Sequence, residues 1–202
     1  KLMVFGRQMK EKSQENENLI RILCHDLLNP LTAIKLLAMR NKDEKLLKIN
    51  DTAVEIIEHV REMMALEAGK KEIKLGAVSL TEVIKKCVHV MEAKLESKKI
   101  NYFFDNGFLN EVFVQAEQTS LANQVINNIL SNAIKFSHEG GHIYFSLAVR
   151  DNQVFVTIRD EGIGVPESMV PDLFNKYVKT TRLGTSKEKG TGFGLPLVKT
   201  YM

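Results

Sequence analysis

The sequence predicts an α+β multidomain chain, with an antiparallel helical hairpin followed by an α/β sandwich. Three observations predict it. Residues 20–63 carry two apolar stripes at spacings of three and four, separated only by "RNKDE" (40–44). A polar stretch, "EAGKKEIKLG" (67–76), follows and reads as a linker. Beyond it the periodicity changes, and "GHIYFSLAVRDNQVFVTIRDEG" (141–162) alternates apolar and polar residues on either side of "DNQ". These features divide the chain into a hairpin with its N-terminal helix (1–68), a linker (69–76) and a mixed domain (77–202).

In the hairpin, the first stripe is Ile20, Leu23, Leu27, Pro30, Ile34 and Leu37, and the second is Leu46, Ile49, Ala53, Ile56, Val60 and Met63. Both are heptad seams, and the short connection makes the two helices antiparallel. A lone hairpin cannot bury both stripes, so a homodimer closing a four-helix bundle is expected. In this register His25 falls on an f position, facing away from the seam. The same helix carries Pro30 in its interior, a placement that costs about 3 kcal/mol because proline lacks an N–H and clashes with the preceding turn.

In the mixed domain, a helix is expected near 80–97, strands in "KINYFFDN" (99–106) and "VFVQA" (112–116), and a longer helix over about 117–137. The hairpin around "DNQ" comes next. The tail then carries a short helix around 166–177, a polar loop "TTRLGTSKEKG" (180–190), and a helix opening after Gly194.

Composition narrows the function. A net charge of +3 over 202 residues is too mild to make nucleic acid the main partner. The basic clusters "GKKEIK" (69–74) and "KLESKK" (94–99) read as solvated faces. Cys24 and Cys87 have no metal-ligand spacing and read as reduced, partly buried thiols. No stretch approaches the ~20 apolar residues of a membrane span, and no signal peptide is present. A cytoplasmic location without membrane contact is therefore expected. The start at Lys1 suggests a piece of a longer protein, with any sensor or anchor upstream.

Three segments carry chemistry. In "NQVINNILSNAIKFS" (123–137), the poor helix former asparagine occurs at 123, 127, 128 and 132. Gln124, Asn128, Ser131 or Asn132, and Lys135 fall on one stripe that offers amide oxygens and an ammonium to a metal–phosphate group. "RDEGIGVP" (159–166) ends a strand in an acid, where a carboxylate beside glycines can accept from an exocyclic amine. "KGTGFGL" (189–195) is glycine-rich and opens a helix, an arrangement suited to phosphate. It follows no strand of a βαβ unit, which disfavours a Rossmann site.

In this order, the asparagine helix, "DEGIG", "LFNKY" (173–177) and "GTGFGL" resemble the N, G1, F and G2 boxes of the GHKL ATPase superfamily. "HDLLNP" (25–30) resembles the H box of sensor histidine kinases, which the gyrase-, chaperone- and mismatch-repair-type relatives lack. The resemblance implies that the sandwich is of the GHKL type. It implies an ATP-dependent protein-histidine autokinase, with ATP and Mg²⁺ as cofactors and a response regulator receiver domain as partner. His25 takes the γ-phosphate and passes it to a regulator aspartate, and phosphatase activity toward that regulator is the further expectation. Asp26 serves as general base or orienter, and Asn29, one turn on, orients the phosphohistidine or a water. Asn132 is the implied Mg²⁺ ligand, with Asn128 assisting. Lys135 contacts phosphate and Phe136 packs beneath the pocket. Asp160 reads the adenine amine, with Gly162 and Gly164 allowing close approach. Gly190, Thr191, Gly192, Gly194 and Leu195 close the phosphate end, and the loop from Asn175 to Gly190 is the ATP lid.

Three departures stand out. Lys179 takes the place of the F-box arginine, a point charge where the family has a bidentate fork, with Lys176 and Tyr177 alongside. The hairpin is shorter by about one heptad per arm. The chain stops at Met202, where relatives continue, so the domain reads as C-terminally incomplete. The first and last departures favour the alternative, a nucleotide-binding, pseudokinase-like scaffold. Intact His25, Asp26 and Asn132 favour the kinase.

Overall fold

A computed structural model describes residues 2–67, 74–175, 178, 180–188 and 190–202. The chain divides into two compact units, Lys1–Glu72 and Ile73–Met202.

The first unit is a pair of helices, α1 (Leu2–Arg40) and α2 (Glu44–Glu67). Lys42 turns the chain with φ +55°, and the Asp43 carboxylate accepts from the Leu46 N–H at 2.9 Å, capping α2. The helices form the expected hairpin, but not through the expected seam. Leu23, Leu27, Pro30, Ile34 and Leu37 of α1 are exposed, as are Ile49 and Ile56 of α2. The contact runs instead through Cys24, Leu28, Leu31 and Ala38 against Leu47, Asn50, Val54 and Ile57, of which Cys24, Ala38 and Asn50 are fully buried. Each residue lies one position on from its predicted counterpart, a rotation of about 100°. Between Leu19 and Met39, α1 is apolar around more than half its circumference, and the rotated stripe carries the small Cys24 and Ala38, where helices approach closely. Lys35 and Asp51 pair across the hairpin at 2.8 Å.

A second correction follows from the same apolarity. Ile22–Arg40 is long and apolar enough, by length and composition, to cross a membrane. The expectation that no stretch approaches that length does not hold.

The second unit has two sheets. β1 (Gly76–Ser79) pairs antiparallel with β3 (Phe113–Ala116). β2 (Asn101–Phe104), β4 (His142–Arg150) and β5 (Gln153–Asp160) form the other sheet in the order β2-β4-β5, with β2 parallel and β5 antiparallel to β4. The β4–β5 hairpin turns at Asp151 and Asn152, both at positive φ (48° and 60°), the two-residue turn whose twist matches paired strands. Alternation sorts the sheet. Phe104, Phe145 and Ile158 lie in register on the inner face, and Phe103, Tyr144 and Arg159 on the outer, where Arg159 stacks on the Tyr144 ring at 4.5 Å.

The helix expected near 80–97 is two, α3 (Leu80–Val90) and α4 (Glu92–Ser97), divided at Met91. The Ser79 hydroxyl caps α3 by accepting from the Glu82 N–H. Val83, Ile84, Cys87 and Val88 of α3 share one buried core with Ile143 and Phe145 of β4. Emptying the Phe145 site with alanine would cost about 3–5 kcal/mol.

The 117–137 helix is present but not uniform. It begins with α5 (Gln118–Ser120), passes through a π-helical segment (Leu121–Ile126) and continues as α6 (Asn127–Phe136). Glu117 caps its start, accepting from the Thr119 and Ser120 N–H groups and from the Ser120 hydroxyl. The hydroxyl contributes most to holding the Glu117 carboxyl at about 2, against the opposing effect of burial. A 3₁₀ helix (Glu167–Asp172) and α7 (Gly194–Tyr201) complete the unit, with Leu197 and Val198 of α7 buried.

Both cysteines are free and buried, and burial pushes the Cys87 thiol up to about 11. The reading of "KLESKK" as a solvated face is overturned at two positions, Leu95 and Lys98, both buried. Lys99 is exposed and pairs with Glu139, whereas Lys98 is 7% exposed.

Candidate active site

The expected residues of the second unit gather around α6, and the contacts explain why. Asn128 spends its Nδ2 on the Gln124 carbonyl, one turn back at 2.8 Å. That fixes the amide and turns Oδ1 toward Gly194 at the start of α7, where an added Cβ would meet it at 2.9 Å. Asn132 follows one turn on, half-buried. Lys135 closes the stripe, its Nζ 4.7 Å from the centre of the Phe136 ring.

The strand end comes to the same place. Asp160 is the last residue of β5, and its Oδ1 accepts from the Gly162 N–H at 3.0 Å. Gly162 bridges Ser137, and the Ile163 N–H donates to the Phe136 carbonyl at 3.1 Å. A side chain at 162 would collide with that carbonyl, so glycine is required there by close approach. Asp160 is thereby held half-buried beside the C-terminal turn of α6.

The glycine-rich segment lies over the same helix. Gly190 faces the Lys135 ammonium, 2.5 Å from where its Cβ would be. Gly192 takes φ +85°, a conformation glycine adopts without strain, and the Thr191 hydroxyl accepts from the Phe193 N–H at 3.5 Å. Leu195 is half-buried in the first turn of α7. Gly164, at φ +60°, gives its carbonyl to Arg182 Nη1 at 2.8 Å. Asn128, Lys135, Phe136, Asp160, Gly162, Gly190 and Gly194 are thus brought together. Lys176, Tyr177 and Lys179 lie outside the described residues.

The remaining expected residues are in the first unit. His25 and Asp26 are exposed on α1, with His25 Nδ1 3.2 Å from Asp26 Oδ1. Asn29 is exposed one turn on. α1 runs through Pro30 without interruption, although Pro30 has no N–H to give the Asp26 carbonyl.

Four residues outside the expected set join the site: Arg182, Thr185, Glu188 and Lys98. Glu188 is drawn in two directions. Burial alone would raise its carboxyl, but the Lys98 ammonium and the Ser186 N–H prevail and hold it below the usual carboxylate range.

The amide oxygens of Asn128 and Asn132 suit a hard cation. Among the described residues, no group of three or more His, Cys, Asp or Glu side chains could hold a metal. A divalent ion here would therefore take most of its ligands from phosphate and water, the way Mg²⁺ commonly binds.

Comparison with known proteins agrees with this geometry. Residues 117–202 match the family described as histidine kinase-, DNA gyrase B- and HSP90-like ATPase. The sensor histidine kinase WalK of Bacillus subtilis (strain 168) is 26% identical over 205 residues, covering 95% of this chain and 33% of WalK. The adaptive-response sensory kinase SasA of Synechococcus sp. (strain JA-3-3Ab) is 30% identical over 211 residues, covering 95% of this chain and 54% of SasA. The chain thus spans about a third and about half of these relatives. Among solved structures, the catalytic domain of the histidine kinase ThkA superposes with a TM-score of 0.53 at 26% identity, covering 63% of this chain and 78% of that one. Full-length ShkA in complex with AMPPNP shares the fold over 91% of this chain and 40% of its own length, with a TM-score of 0.70 at 21% identity. Residues 117–202 therefore form an ATPase domain of the histidine kinase-, gyrase B- and HSP90-like family, and the chain as a whole is similar to sensor histidine kinases.

Proposed function

We propose that the chain is an ATP-dependent protein-histidine autokinase that phosphorylates His25 and passes the phosphoryl group to an aspartate of a response regulator. The observation that carries this is His25 itself. Its side chain is 75% exposed, with one ring nitrogen against Asp26, in a chain that also carries a GHKL ATPase domain. With Nδ1–H donating to Asp26, Nε2 holds the lone pair. Nε2 attacks the γ-phosphorus of ATP, the bond from that phosphorus to the β,γ-bridging oxygen breaks, and ADP leaves. The new N–P bond acidifies the ring, and Asp26 takes the Nδ1 proton. In transfer, a regulator carboxylate oxygen attacks phosphorus, the N–P bond breaks and the imidazole recovers its proton.

In the second unit, Asp160 supplies the anionic acceptor for the adenine amine, and Lys135 the charge that meets phosphate. Asn132 and Asn128 would hold Mg²⁺, which when bound neutralises the β- and γ-phosphate charge. Chemistry of this type is positioning and charge stabilisation, so no further nucleophile is required. Asn29 would orient a water for dephosphorylation of the regulator. Lys179, with Lys176, would serve where the family has an arginine.

A second copy of the chain is the proposed partner of the first unit. Leu23, Leu27, Ile34 and Leu37 on α1, with Ile49 and Ile56 on α2, leave an apolar stripe that a four-helix bundle would cover. The two buried free thiols fit a reducing, cytoplasmic setting. A structure of ThkA in complex with the response regulator TrrA supports the choice of partner class. The test is incubation with γ-labelled ATP. The account expects a labelled chain whose label is lost in acid and kept in alkali, and a chain left unlabelled would refute it.

A further inference from the structure

Lys98 lies in neither the asparagine helix nor a glycine box, yet its ammonium joins the end of α6 to the segment that precedes the second glycine box. It donates to the Ile134 carbonyl at 2.8 Å, the Lys135 carbonyl at 2.9 Å and Glu188 Oε1 at 2.9 Å. Three donors meet three acceptors, so the buried charge is satisfied. Two of the acceptors are end carbonyls of α6, where a cation is also favoured by the helix dipole. The third belongs to loop 180–190, ninety residues away in sequence.

The loop is fastened to the same helix end by other bonds. The Thr185 N–H donates to the Lys135 carbonyl at 3.1 Å, and its hydroxyl to the Ser137 carbonyl at 2.6 Å. Within the loop, Gly184 N–H donates to the Glu188 carbonyl, and Ser186 N–H to its carboxylate. Residues 184–188 thus form a closed turn seated on the carbonyls of 135 and 137, with Lys98 joining Glu188 to the carbonyls of 134 and 135. Lys135 lies at the junction. Its backbone carbonyl receives the clamp, while its side chain passes Gly184 and ends at Gly190.

We propose that Lys98 is a positioning residue for ATP, which with Glu188 and Thr185 clamps the stem of loop 180–190 to the end of α6, setting Lys135 and the following glycines for phosphate. The proposal rests on the ATP-binding reading above and adds three residues to it. A bare structural tie would affect stability alone. A clamp that sets the pocket affects nucleotide affinity in a chain that remains folded.

The test compares Glu188→Gln, Thr185→Val and Glu188→Asp with the unaltered chain, by calorimetric titration with ATP and Mg²⁺ and by amide exchange at Gly184 and Thr185. Glu188→Gln is expected to weaken ATP about tenfold, the loss of one charge-assisted bond, and to speed exchange at both amides. The thermal midpoint should fall, because the buried Lys98 loses its anionic partner, while the chain stays folded at the assay temperature, and Glu188→Asp should recover part of the affinity. Should Glu188→Gln prove unfolded by circular dichroism, Thr185→Val, which keeps the side chain's shape, decides the matter by the same two readouts. Faster exchange with ATP affinity equal to the unaltered chain overturns the clamp and leaves the ATP reading standing. An unaltered chain that binds no ATP overturns both.

Discussion

Asp160 shows how one residue serves both fold and site. One carboxylate oxygen holds the turn through the Gly162 N–H, a bond that a neutral amide oxygen also makes. Asp160→Asn should therefore keep the fold and lose the anionic acceptor aimed at the adenine amine. A charge-assisted hydrogen bond is worth roughly 1.5–3 kcal/mol, so ATP affinity should fall about tenfold to a hundredfold, read by calorimetry. Equal affinities would show that Asp160 serves the turn alone. At this scale the asparagine stripe and glycine boxes were legible in the sequence because their chemistry is local. Asn128 with Gln124, and Asp160 with Gly162, are neighbours along the chain. Lys98, Thr185, Glu188 and Arg182 were not legible, because their partners are 18 to 90 residues away. "KLESKK" carries no local mark that separates the buried Lys98 from the exposed Lys99.

Among the elements, the hairpin is where pattern and structure diverge most usefully. The spacing of three and four correctly indicates two antiparallel helices, since any apolar stripe of that period does. It does not choose between two stripes set one residue apart, and α1 carries both. The small side chains of Cys24 and Ala38 settle the choice by letting α2 approach, leaving the bulkier Leu23, Leu27, Ile34 and Leu37 outside. Those residues belong to the proposed contact with a second copy. Leu37→Asp puts a charge on that stripe, a full heptad and more from His25, without touching the in-chain contact. Light scattering should show the dimer mass of the unaltered chain reduced to a monomer, with helicity retained. A dimer that survives the change would remove this stripe from the interface. The π-helical segment is a second case. Six residues of wider winding at 121–126 leave no signature in side-chain type, because the backbone reads there as ordinary helix former. The β4–β5 turn is the converse, since Asp151 and Asn152 tolerate positive φ and announce the hairpin directly.

In the whole molecule, labour is divided between two units of one chain under the proposed function: a phosphoacceptor on a helical hairpin, and a nucleotide site around α6 in the mixed domain. The most direct measurement takes His25→Gln beside the unaltered chain, with two readings on each protein. One is ATP affinity by calorimetry, and the other is acid-labile label incorporated from γ-labelled ATP. The account predicts equal affinity in both proteins, and label in the unaltered chain only. Label that persists in His25→Gln, or ATP affinity that falls with it, would contradict the division on which the proposed function stands.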